Sequence, residues 1–192
     1  MLGTISWGRA LIRSGFRFTP KGAQLNLAVE TIENREYLTR ILSAIGEAAA
    51  MKDTEFKPKA KSVRESDWLL AIEKLHGGAE GGRANELLIM DTYMAGIVRT
   101  VNELGIATSY SCDGHDKKAP VLQVSDRRDE FAVNAALQLI SSGHWSLRNR
   151  VLRGITGRYW LLDVAEKLYA LRNDLRQFIV ASRNLGKSAD EP

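Results

Sequence analysis

Gly105-Ile-Ala-Thr-Ser-Tyr-Ser-Cys-Asp-Gly-His-Asp-Lys-Lys-Ala-Pro-Val-Leu-Gln-Val-Ser125 is the stretch that decides how this chain is read. Two short strand-like runs, Ile106 to Tyr110 and Pro120 to Ser125, flank a polar loop that carries Ser111, Cys112, Asp113, Gly114 and His115. Such an arrangement predicts a β-hairpin with a long tip. Upstream, Leu87, Met90, Met94, Ile97, Val101 and Leu104 recur at spacings of three and four, predicting one amphipathic helix that Gly105 terminates.

Downstream the pattern continues. Asp126 is expected to cap a helix running through Ile140, with Val133, Ala136, Leu137 and Ile140 on its buried side and Ser142 and Gly143 at its end. Trp145 to Leu152 and Arg158 to Val164 then read as a second hairpin around Gly154 and Gly157. Alternation places Trp145, Leu147 and Val151 on one face and Arg148 and Arg150 on the other. A last helix carries Val164, Leu168, Leu171, Leu175 and Phe178. The reading is an α+β fold: a helix-hairpin-helix-hairpin-helix core over residues 83–187 with a small, mainly antiparallel sheet. Residues 1–82 are expected to form an N-terminal helical annex and linker, and 188–192 a polar tail.

Within the annex, Leu38, Ile41, Leu42 and Ile45 predict a helix over Thr31 to Ala50. Lys52 to Lys61 reads as an exposed connection, and Asp67 to Leu75 as a short helix capped by Ser66. The glycines of Gly77 to Gly82 read as a linker. No strand precedes them and no Gly-Lys-Ser/Thr follows, so a phosphate loop is not indicated.

Composition narrows the class. Of 192 residues, 44% are hydrophobic and 26% charged, the balance of a folded chain with room for one well-buried core and an annex. No window approaches eighteen uninterrupted apolar residues, and Arg9 interrupts the N-terminal apolar stretch with no small-residue cleavage site after it. No membrane partner and a cytoplasmic location are expected. The single cysteine, Cys112, cannot form an intramolecular disulfide, which fits a reducing compartment.

The net charge of +4 is unevenly placed. Residues 1–29 hold Arg9, Arg13, Arg17 and Lys21 without an acid, and the C-terminal region is rich in arginine. Clustered cations of this kind suit RNA, DNA, a nucleotide or an acidic protein assembly, with a solvated basic face as the alternative. Arg148, Arg150, Arg153, Arg158, Arg172 and Arg176 are the candidate nucleic-acid contacts.

Chain direction supplies a chemical expectation. A helical crossover between the hairpins returns the chain to its starting end, so Cys112, Asp113, His115, His144 and Asp163 should share one edge of the sheet, beside the N-terminus of the last helix. Cys112, His115, Asp113 and His144 are the candidate catalytic residues: a thiolate nucleophile activated by imidazole. Cys112, His115 and His144 are equally candidate ligands of a metal, zinc by the softness of the donors. In the structural alternative, Cys112 is a small buried hydrophobe, Gly114 takes a positive φ and His115 bonds locally. Asp91 reads as a solvated position early in its helix.

The segment Asn102 to His115, preceded by a helix containing Asp91, resembles a motif of small bacterial and phage proteins: helix, Leu-Asn, a strand entering Ser-Cys-x-Gly-His, and a second strand. Tyr110 to His115 is more distantly similar to the Ser-Ser-Cys-Ser-Gly-Arg signature of the wybutosine-synthesis tRNA methyltransferase family. This chain has His115 in place of the arginine and Tyr110 in place of a serine. The expected function is a nucleic-acid- or nucleotide-associated protein with an enzymatic site at the Cys112/His115 loop. A noncatalytic subunit of a larger assembly and a small metal-binding regulatory protein are the competing readings.

Overall fold

The computed structural model of the chain describes residues 3–77 and 86–187. It is α+β, with helices and small antiparallel sheets, and falls into two compact units, residues 1–92 and 93–192. The boundary expected at residue 82, the linker around it and the tail 188–192 lie outside the described residues.

The first unit holds β1 (Thr4–Ser6), α1 (Trp7–Arg13), β2 (Thr19–Lys21), β3 (Gln24–Asn26), α2 (Ile32–Ala44), β4 (Met51–Lys52), β5 (Glu55–Phe56), β6 (Ser62–Arg64), α3 (Glu65–Gly77) and α4 (Glu86–Ile89). A purely helical annex is therefore corrected. β1 pairs with β6, and a second sheet has the order β2-β3-β5-β4. Strands of two or three residues show no periodicity to read, and the expected connection Lys52 to Lys61 contains the tight turn at Asp53 (φ 52°) between β4 and β5. α2 stops at Ala44 rather than Ala50, because Gly46 at φ 79° ends the helical path. Ser66 is not a cap: α3 begins one residue earlier, and Ser66 Oγ donates to Asp67.

Two basic residues of the acid-free N-terminal stretch are used internally. Arg13 is buried against Glu65, and the backbone N–H of buried Arg17 donates to the carboxylate of buried Glu30. Removing one partner of such a buried pair costs about 3–5 kcal/mol, so Arg13 is part of the core rather than a free polyanion contact.

The second unit contains α5 (Ala95–Glu103), β7 (Thr108–Cys112), β8 (Val121–Val124), α6 (Arg127–Ile140), β9 (Trp145–Arg148), β10 (Val151–Gly154) and α7 (Tyr159–Lys187). Its sheet has the order β7-β8-β10-β9, antiparallel throughout. α5 and α6 pack on the strands, and α7 runs along both helices. Leu122, Val124, Leu152 and Trp145 face inward and are buried. Each such side chain contributes about 1.5–3 kcal/mol of burial. Asp126 caps α6, its carboxylate accepting from the Arg128 backbone N–H at 2.9 Å.

Three expectations for this region change. The single helix over Leu87 to Leu104 is broken: α4 ends at Ile89, residues 90–94 turn, and α5 starts at Ala95. Tyr93 in that turn is buried edge-on against Tyr159 at 5.4 Å and lies under the Arg158 guanidinium at 4.4 Å. The second hairpin turns earlier than expected, at Asn149 and Arg150, both at positive φ (48° and 66°), as in a two-residue hairpin loop. The shift moves Val151 opposite Arg148, away from the Trp145 and Leu147 face. Arg158 to Val164 is not a strand, since Leu161, Leu162, Ala165 and Leu168 are buried at helical spacing in α7.

Candidate functional site

β7 delivers the site to one end of the sheet. Cys112 pairs with Val121, Val121 with Arg153, and Arg153 with Ser146, so one register row crosses all four strands. Side chains in register on neighbouring strands share a face. This row is the outer one, because Leu122 and Leu152 form the buried row next to it.

Beyond Cys112 the chain tightens into a 3-10 turn, Gly114–Asp116. The buried Asp113 carboxylate accepts the His115 backbone N–H at 2.8 Å and stands 3.2 Å from His115 Nδ1. The Gly114 N–H donates to Cys112 Sγ at 3.4 Å, and the Lys117 and Lys118 N–H groups both donate to the Gly114 carbonyl. Gly114, His115 and Asp116 all have positive φ (78°, 48° and 57°). For His115 and Asp116 that conformation costs about 1–3 kcal/mol each, an expense that persists only where the surroundings enforce it. Gly114 has no substitute: a Cβ there would stand 3.1 Å from the Ala119 carbonyl carbon and 3.3 Å from Pro120 N.

Arg158, just before α7, closes the loop from behind. It forms an ion pair with Asp116 at 2.7 Å and reaches within 4.0 Å of Asp113. The same guanidinium caps Tyr93. Cys112, Asp113 and His115 each bring one donor atom, and these atoms lie within 4.8 Å of one another. Asp91, expected to be solvated early in a helix, is half-buried and lies between α4 and α5. Reading an unbroken helix through residues 90–94 concealed this.

Cys112, Gly114 and His115 also form one wall of an open cleft of about 740 Å³. The remaining walls include Tyr110, Lys117, Lys118, Val121, Gln123, Val151 and Arg153. Three cations line this cleft and no carboxylate appears among its described lining residues.

His144 is not among the converging donors. Its ring packs on Trp160 at 5.2 Å, and Nδ1 sits 3.1 Å from the Ser142 carbonyl. The arginines divide. Arg150 pairs with Glu130 at 3.1 Å, Arg158 is bound as described, Arg172 donates to the Tyr169 carbonyl and lies over its ring, and Arg176 donates to the Glu103 carbonyl. These four brace the fold. Arg148 and Arg153 instead project exposed from the outer face of the sheet. Lys117, Lys118 and Tyr110 are the site residues that the sequence reading passed over. The Lys117-Lys118 pair beside the Cys/His loop was the available signal for two of them.

No helix among the described residues is long and apolar enough to cross a membrane. No family model, curated protein or solved structure matches the chain.

Proposed function

We propose that the chain is a metal-binding protein whose zinc-type centre has the open form used in catalysis. Convergence of three donors from Cys112, Asp113 and His115 within 4.8 Å, at the wall of an open cleft, carries the proposal. Thiolate, imidazole and carboxylate together suit Zn²⁺, with bonds of about 2.0–2.3 Å; a modest tightening of the loop would bring the donors to that range.

In this reading Cys112, Asp113 and His115 are the direct ligands. Asp113, buried and beside His115 Nδ1, also holds the ring's orientation. Three protein ligands leave one position toward the cleft. Zinc bound in that manner supplies a Lewis acid and an activated water at neutral pH, whereas a structural site would close with four ligands. His144 takes no part.

Metal analysis of the purified chain tests this. One equivalent of zinc is expected, and cobalt substitution should give an intense thiolate-to-metal charge-transfer band. Cys112→Ser should abolish the band, His115→Ala should lower affinity by at least about tenfold, and His144→Ala should change neither. Failure to retain metal after zinc loading would overturn the reading. Rapid alkylation of Cys112 that zinc does not slow would favour the thiol nucleophile, with His115 and Asp113 behind it.

A further inference from the structure

We infer that the outer face of the β7-β8-β10-β9 sheet binds single-stranded nucleic acid, with Lys117, Lys118, Arg148 and Arg153 on its phosphates and Tyr110 under a base. The inference names a substrate class for the metal centre and rests on that reading only for what happens after binding; the sheet face itself is argued independently.

Charge selection on this face is the first argument. Lys117, Lys118 and Arg153 line the cleft without a carboxylate among the described lining residues, and Arg148 stands exposed on the edge strand beyond them. None of these four has an ion-pair partner among the described residues, whereas Arg13, Arg150, Arg158 and Arg183 all do. Acids are plentiful in the chain, 23 against 27 basic residues, so a face that gathers cations and excludes acids favours an anionic occupant.

Extent and shape choose among anions. The cations lie on β9, on β10 and on the loop after β7, so they span the full width of the sheet, about 14 Å for three strand spacings. A lone phosphate cannot use that span; a chain of phosphates can. Tyr110 lies on the same face as Cys112, two residues along β7, and is 55% exposed. A ring in that position offers its face to a base, and base faces are open only in unpaired strands. A strand following this track passes directly over Cys112 and His115.

The test is fluorescence anisotropy on the full chain with labelled oligouridine and oligothymidine of about twelve nucleotides, near the length one such platform covers. Four phosphate contacts on a single strand give a salt slope near −3, so affinity should fall about fifty-fold between about 50 and 200 mM salt. Replacing Lys117, Lys118 and Arg153 together by alanine should reduce that slope by about two. Tyr110→Ala should weaken binding about tenfold and Tyr110→Phe should not. The doubly substituted Arg172→Ala, Arg176→Ala chain should bind as the parent does. All these side chains except Arg172 are exposed, and circular dichroism checks each fold.

Three results overturn the inference: no saturable binding at low salt, duplex or mononucleotide bound as well as the strand, or equal loss from the Arg172/Arg176 variant. Metal content is measured on the same preparations. Zinc retained without strand binding sinks this inference and spares the metal centre; strand binding without zinc does the reverse.

Discussion

Gly114→Ala, set against Gly143→Ala, isolates what the Cys/His loop demands of its backbone. The two glycines have nearly the same φ, 78° and 76°, so an added methyl carries the same left-handed cost of about 1–2 kcal/mol at each. Both substitutions also recover about 0.4–1 kcal/mol by restricting the unfolded chain. Their surroundings differ. At Gly143 nothing lies within 4 Å of the new Cβ, whereas at Gly114 it meets Ala119 carbon and oxygen at 3.1 and 3.3 Å and Pro120 nitrogen at 3.3 Å. Those are backbone atoms that cannot rotate aside, and relieving the overlap costs about 1–3 kcal/mol. Gly143→Ala should therefore destabilise by about 1 kcal/mol and Gly114→Ala by about 2–4 kcal/mol. Urea unfolding of the full chain, read through amide exchange in β7 and β8, measures the difference. Zinc affinity should fall at least about tenfold for Gly114→Ala alone, because the displaced loop carries His115. Equal destabilisation by the two variants, or a Gly114→Ala chain that holds zinc as tightly as the parent, would refute the reasoning.

Two further outcomes are expected. Hydrogen bonds from the Arg128 side chain and backbone, aided by its charge, hold the Asp126 carboxyl at about 2, below its ordinary 3.8. Because that value is depressed on folding, its contribution to stability is present above about 3.8 and disappears as pH falls toward 2; Asp126→Asn should flatten the acid limb of a stability–pH profile, and an unchanged limb would refute this. Asn149→Val puts a β-branched residue at φ 48° in the β9–β10 turn and should cost about 1–2 kcal/mol in thermal unfolding, whereas Asn149→Gly should cost nothing.

The parts of the structure that were legible in the sequence are those in which one residue type serves one local purpose. Asp126 announces the start of α6, and the apolar stripe Ile97, Val101 and Leu104 announces the buried side of α5. Thr108–Cys112 and Val121–Val124 fall close to the strand-like runs. Illegible were features settled by distant contacts. The stripe from Leu87 to Leu104 continues at helical spacing through a break that exists because Tyr93 packs against Tyr159 and Arg158, sixty-odd residues away. The Asn149-Arg150 turn lacks the glycine that usually betrays it, so the hairpin was displaced toward Gly154. Gly154 has another purpose: a Cβ there would stand 2.7 Å from Pro120 and 2.9 Å from Trp160. Net charge indicated cations in excess but not which were committed to the fold, since Arg13 and Arg158 look in sequence like Arg148 and Arg153.

The irregularity in β7 has a bearing on how this chain could vary. Pairing with β8 slips between Thr108 and Tyr110, leaving Ser109 without a register partner, and resumes with Tyr110 opposite Gln123 and Cys112 opposite Val121. The outward aim of Cys112 is therefore counted from Val121, not from the end of α5. A residue gained or lost on the helix side of Ser109 can be absorbed by the bulge, while the same change between Tyr110 and Cys112 would turn the thiol inward and present Ser111 to the cleft. Length is free on one side of Ser109 and fixed on the other, which makes a single irregular residue the point where drift in the scaffold is uncoupled from the chemistry it carries.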